Sequence, residues 1–558
     1  MMLRYQLTFR AACLMVALSA TVAQNRLHAQ EASGAQANPA GTQNASTGRQ
    51  APPPFDRGKV FTLQQVAQAG RVSVGTPDPQ IAAALRAIST AHVRQNIEKL
   101  ASFVNRNTNG SRYPELEQKG VGIVAAREWI RSQFEAYSKA CGGCLEVKED
   151  KFIAQAGNTP EGRAQAGTTT TAPTNPNPTA RPAPARIDQP TELVNVYAVM
   201  RGTDSEQANR IYLVSGHYDS FFANAGPGKS SAQNMLDVNS PAPGANDDAS
   251  GTAVSLECAR VLSQHKFPAT IIFLTVAGEE QGLIGSRHFA QMAKQENWSI
   301  QGMLNNDIVG GNRTPGQESR QNARVVRVFS EGLPLDAAPP EIRTIRQNGY
   351  ENDSPSRQLA RYIRDTAQTY RIPAANGLFA PLPVWRPDRF GRGGDHTPFN
   401  EQGYAAVRFT EFREDFNHQH QLPRTENGVE YGDLPKFVDF NYVANVARVN
   451  AATLATLASA AAAPGNVRYP VGGVGNETTI TWDAPSGSEG LAYEVVWRDT
   501  SAPYWEHALG VGSATRVTVD LSKDNVIFGV RSKDTKGHFS PIVVPRAERR
   551  PPAAPPAE

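Results

Sequence analysis

An excess of charge of one sign is nearly missing from this chain. Its 56 Lys and Arg residues face 53 Asp and Glu over 558 residues, a net +3 with no block basic enough to hold nucleic acid or an anionic membrane. Long apolar runs are missing too: after residue 29 nothing approaches the roughly 20 residues of a membrane-spanning helix. Cysteine is scarce, four in all, and a zinc site from Cys141 and Cys144 alone is not expected, since such sites take four ligands. Cys13 falls in the opening segment, and Cys258 sits on the apolar face of a helical stretch and reads as buried and inert. Cys141-Gly-Gly-Cys144 reads as a structural disulfide and not a redox pair, because no thioredoxin-like βαβ unit follows it.

What is present divides the chain. Residues 1–29 carry Arg4 and Arg10, an apolar run from Ala11 to Val22 and small residues at Ala23 and Ala29, the pattern of a secretory signal peptide. A periplasmic or secreted protein is therefore expected. Residues 30–60, an insertion at 155–190 and the tail 549–558 are rich in Ala, Pro, Gln, Thr or Gly and are expected to be disordered. Strands at about 192–201, 210–216, 269–277, 303–309 and 404–411 alternate with helical stretches, among them 81–103, 122–138 and an amphipathic 433–459. This predicts an α/β fold over 61–463, a mostly parallel mixed sheet sandwiched by helices. From 464 to 548 the pattern changes to short β runs between turns, such as 478–482 and 493–497, which predicts a small all-β sandwich with its aromatics in the core.

The chemistry concentrates where those strands end. Ile211 to Asp219 is an apolar run closing in His217 and Asp219, which face the same way in an extended chain; a strand-end pair facing water would look the same. A metal-bound imidazole gives its other nitrogen to a carboxylate, so Asp219 suits orienting His217 better than ligation. Asp247 and Asp248 follow a Gly-containing turn at the start of a helix, where one acid would suffice as a cap. Glu279-Glu280 follow a buried strand, so that one carboxylate can hold a metal while the other takes a proton from water. Asp307 interrupts an apolar run, which is costly for a carboxylate unless it is paired or on a metal. Asp395 and His396 lie on a Gly-rich loop before the last strand. His217, Asp247, Glu280, Asp307 and His396 are thus the candidate metal donors, with Glu279 beside them. His418 and His420, in Asn-His-Gln-His-Gln, lie a short way beyond, with lining or buttressing the pocket both open to them.

The stretches GHYDS, GANDDASGTA, GEEQGLIGSRHF, NNDIVG and GGDHTPF, in this order across about 190–410, closely resemble zinc-dependent peptidase family M28, which includes bacterial leucyl aminopeptidases. The resemblance implies two Zn2+ ions, one on His217 and Asp307, the other on Glu280 and His396, with Asp247 bridging. It further implies Glu279 as general base, a cis bond between Asp247 and Asp248, and a peptide substrate cut at its N-terminus. The C-terminal segment looks like a fibronectin type III module, which would give the protein an extracellular or envelope partner. Three rivals stand beside this reading. Glutaminyl cyclases resemble the core but use one zinc, whereas five donors favour two. A carboxypeptidase of the family would need a basic pocket, for which Arg386, Arg389 and Arg392 are available. An inactive core carrying a binding module is opposed by the complete donor set.

Overall fold

The computed structural model describes residues 56–548, except 74, 158–185, 227–229, 312, 317–320 and 471–474. The signal peptide, residues 30–55, most of the 155–190 insertion and the tail from 549 lie outside the described residues.

An eight-stranded sheet forms the centre. Its order is Ala380–Val384, Val325–Ser330, Ala406–Glu411, Ser299–Asn306, Arg210–His217, Thr270–Val276, Thr191–Met200 and Glu146–Ala154. The four strands from Ala406–Glu411 to Thr270–Val276 run parallel to one another, and the flanking pairings with Val325–Ser330 and Thr191–Met200 are antiparallel. Every residue of Thr270–Val276 is buried. Ile271 and Phe273 join one core with helices Ala249–Leu262 and Phe440–Ser459, while Ile272 and Leu274 join Phe289 and Ala290 on the other face. Burial on both faces is why this strand reads as a continuous apolar run with no alternation.

Most expected elements appear where the periodicity put them, with differences at their ends. The helix anticipated over 433–459 begins at Phe440, because the Asp439 carboxylate accepts hydrogen bonds from the Asn441 and Tyr442 amides and caps it there. Asp433 is left for another task, described below.

The C-terminal residues form two sheets that share one core. Val467, Ile480, Trp482 and Val517 come from one, and Tyr493, Val495, Trp497 and Phe528 from the other. The sheets also take strands from the start of the described chain. Lys59–Phe61 pairs in parallel with Arg516–Val519, and Gly70–Arg71 pairs with His507–Gly512. Residues 59–60, expected to be disordered, are therefore strand, and the segment assigned to the start of the peptidase domain strengthens the sandwich instead.

Candidate metal centre

Because the central strands are parallel, their carboxyl ends lie on one side of the sheet, where ligand sites of such sheets form. His217 ends Arg210–His217, Asp307 directly follows Ser299–Asn306, and Glu279-Glu280 follow Thr270–Val276. Asp247 comes from the loop before Ala249–Leu262, and its peptide bond to Asp248 is cis. Asp248 fastens these segments together. One of its oxygens accepts from the His217 amide at 3.0 Å; the other accepts from Gly251 at 2.8 Å and Ile308 at 3.3 Å. Ile308 and His420 hold left-handed φ values of 59° and 51°, a conformation costly for a β-branched residue, beside Asp307 and within the site.

The donors converge around Asp247. His217 Nε2 lies 3.2 Å from Asp247 Oδ1 and 3.9 Å from Asp307 Oδ1. His420 Nε2 lies 2.8 Å from Asp247 Oδ2 and 3.1 Å from Glu280 Oε1. The two oxygens of one carboxylate thus serve two different imidazoles. Ligand bonds of about 2.0–2.2 Å in a tetrahedron set donors roughly 3.3–3.6 Å apart, and the four separations straddle that spacing. His217 Nε2 is buried without a well-formed hydrogen bond, as a nitrogen reserved for a cation would be. His217, Glu279 and Asp307, and likewise His217, Asp247 and Glu280, are close enough to share an ion.

Supporting contacts fix this set. Asp219 lies 3.5 Å from His217 Nδ1 and accepts from the Glu279 and Glu280 amides at 3.2 and 3.1 Å, so it orients the imidazole and anchors the Glu-Glu turn. Asp433 accepts from the Asn246 and Asp247 amides at 2.7 and 2.8 Å, fixing the backbone that carries Asp247. Burial pushes the Glu279 carboxyl up, helped by the Asp307, Glu280 and Asp395 carboxylates and opposed by His217.

His396 is the residue the structure separates from the expected donors. Its Nε2 meets the Pro387 carbonyl at 2.8 Å and lies 3.8 Å from Asp388. Burial lowers its pKa, opposed by the Asp388 carboxylate and by its bond to the Pro387 carbonyl. The imidazole that faces Asp247 and Glu280 is that of His420. The three arginines considered as a carboxylate pocket also divide: Arg389 pairs with Asp388 at 3.1 Å and Glu414 at 2.9 Å, Arg392 approaches Glu414 at 3.8 Å, and exposed Arg386 stacks 5.9 Å from the Phe390 ring.

Comparison with known proteins identifies the family. Residues 195–431 match Peptidase family M28. A probable zinc metalloprotease of Pyrenophora teres f. teres is 40% identical over 471 residues, covering 84% of this chain and 87% of the relative. The chain belongs to peptidase family M28. Another M28-like relative, a probable zinc metalloprotease of Leptosphaeria maculans, is 39% identical and spans 84% of this chain and 97% of its own. Among solved structures, the Legionella pneumophila LapA aminopeptidase covers 70% of this M28 chain and 77% of its own, at 18% identity and a TM-score of 0.42.

Proposed function

We propose that this M28 chain is an exported aminopeptidase holding two zinc ions. The observation that carries the reading is the division of Asp247, with one oxygen beside His217, whose Nε2 also faces Asp307, and the other beside His420, whose Nε2 also faces Glu280. That donor chemistry, imidazole and carboxylate without thiolate, fits zinc acting on an oxygen substrate. When bound, zinc supplies Lewis-acid polarisation of the scissile carbonyl and acidifies water to a pKa of roughly 7. Glu279 is held by the hydrogen bond that its backbone amide donates to the Asp219 carboxylate, with its own carboxyl beside the donors, so it would take the water proton and pass it to the leaving amine. The crowd of carboxylates favours a substrate's free α-amine, while Arg389, beside the loop of His396, is already paired with Asp388 and Glu414. The secretory opening segment and the Cys141–Cys144 disulfide support export.

The test uses aminoacyl anilides with free and with acetylated amines, together with zinc analysis of the purified protein. Free substrates should be cut, and acetylation should lower kcat/KM by orders of magnitude. Equal cleavage of blocked substrates, or release from the C-terminus, would move the reading to an endopeptidase or carboxypeptidase. One firmly bound zinc in a folded, zinc-saturated sample would favour the cyclase chemistry.

A further inference from the structure

The two halves of the centre are not equivalent, and the difference lies behind the donors. Arg408, on the strand Ala406–Glu411, is fully buried. Its Nη2 lies 2.9 Å from Asp307 Oδ1, the oxygen that also faces His217. Its Nη1 bonds to Asp388 at 3.1 Å and to the Gly393 carbonyl at 2.8 Å, and its Nε donates to Thr410 Oγ1 at 3.0 Å. Thr410 in turn donates to the Asp307 carbonyl at 3.1 Å, so guanidinium and carboxylate are locked in register. The Glu280 carboxylate has no such partner: among the described residues its only ion-pair contact is with His420. Glu280 also receives Arg186, but through its main-chain carbonyl.

We infer that Arg408 makes the His217–Asp307 half the weaker of two zinc positions, so that the protein holds one ion tightly and one loosely. This rests on the two-zinc reading above. The guanidinium, ion-paired with Asp307 at 2.9 Å, carries a charge that repels an incoming dication across a dry interior where screening is weak. Asp388, facing Arg408 from the other side, drains part of that charge; Asp388 is also held by Arg389, so it keeps a partner when Arg408 is replaced. Arg408 is thus a positioning residue that sets how readily the second ion is gained and lost.

The experiment equilibrates the full chain in zinc buffers of graded free concentration and counts bound zinc by elemental analysis. Wild-type protein should fill in two separated steps. Arg408→Gln should move the weaker step to lower free zinc by about 10-fold or more, within the 10–100-fold that outer partners of metal ligands command, and leave the tighter step in place. Asp388→Asn leaves Arg408 unopposed and should move the weaker step the other way. His420→Ala should abolish the tighter step. The inference is overturned if both steps move together, if Arg408→Gln weakens the looser step, or if His420→Ala removes the looser one. A single step saturating at one zinc overturns the two-zinc reading and this inference with it, and is distinguished by its stoichiometry.

Discussion

Removing the His420 imidazole takes away the donor facing both Asp247 Oδ2 and Glu280 Oε1. His420→Ala should therefore lower zinc content and activity together, whereas His396→Ala, which loses a bond to the Pro387 carbonyl, should keep its zinc. Elemental analysis of the two purified variants checks this, and zinc loss confined to His396→Ala would reverse the assignment. The two histidines explain where sequence reading stopped. An Asp-His pair on a Gly-rich loop and a His-Gln-His run both offer imidazoles near a strand end, and only the path of the chain beyond Glu411 brings His420 back over Asp247. Asp433 was hidden for the same reason, since a carboxylate 186 residues from the amide it accepts leaves no local pattern. A second residue gives a pH effect remote from the metal. Glu331 is buried, its oxygens accepting from the Leu335 amide at 3.1 Å and Ser356 at 3.4 Å, and burial pushes its pKa to about 8. The unfolded chain loses this proton near its ordinary value of about 4.3 while the folded chain keeps it, so this group's stabilising contribution falls as pH rises from there to about 8. Glu331→Gln should flatten that part of the Tm against pH curve relative to wild type; an unchanged slope would show that the carboxyl ionises normally.

Elements meet at the site through backbone contact. A Cβ on Gly251 would stand 2.1 Å from the Asn306 carbonyl oxygen and 2.5 Å from Asp248 Oδ2, and one on Gly216 would stand 2.2 Å from the Gly251 carbonyl carbon. Helix Ala249–Leu262 is thus pressed directly on the strands that deliver His217 and Asp307. Gly251→Ala should cost about 1–3 kcal/mol, as overpacking does, and lower zinc occupancy by shifting the Asp247 loop. Gly510→Ala, whose Cβ meets nothing within 4 Å, is the control, and calorimetry with zinc analysis compares them. Elements were legible where burial wrote a clean pattern: the strands bearing His217, Glu279-Glu280 and Asp307 are apolar runs. Edge strands were not. Glu146–Ala154 mixes acids and lysines because much of it is exposed, and Ala380–Val384 carries Pro381 and Pro383. Prolines two apart point their missing donors the same way, which a strand tolerates only when that side is the sheet edge, as here.

At the scale of the whole molecule, the β sandwich is bound to the peptidase body by buried charge. Asp353 accepts Arg498 of the sandwich at 2.8 and 3.0 Å and lies 3.4 Å from Arg361 of helix Pro355–Thr369, and all three side chains are nearly inaccessible. Arg361 also donates to the Pro503 carbonyl at 2.8 Å, Trp505 to Gln358 at 2.9 Å and Tyr362 to the Phe539 carbonyl at 2.9 Å. The sandwich in turn holds the strands Lys59–Phe61 and Gly70–Arg71. A chain ended at Ala463 would leave Asp353 and Arg361 without their sandwich partners and both early strands unpaired. Asp353→Ala probes the joint without truncation, because it removes the carboxylate with which both buried guanidinium groups are ion-paired. Breaking a buried pair in this way costs about 3–5 kcal/mol. The variant should unfold at clearly lower denaturant, and limited proteolysis should open the chain near residue 463 before the zinc-bearing body is cut. Zinc content should persist, since no donor touches Asp353 among the described residues. Unchanged stability, or zinc lost ahead of cleavage near 463, would mean that the sandwich is not held by this cluster.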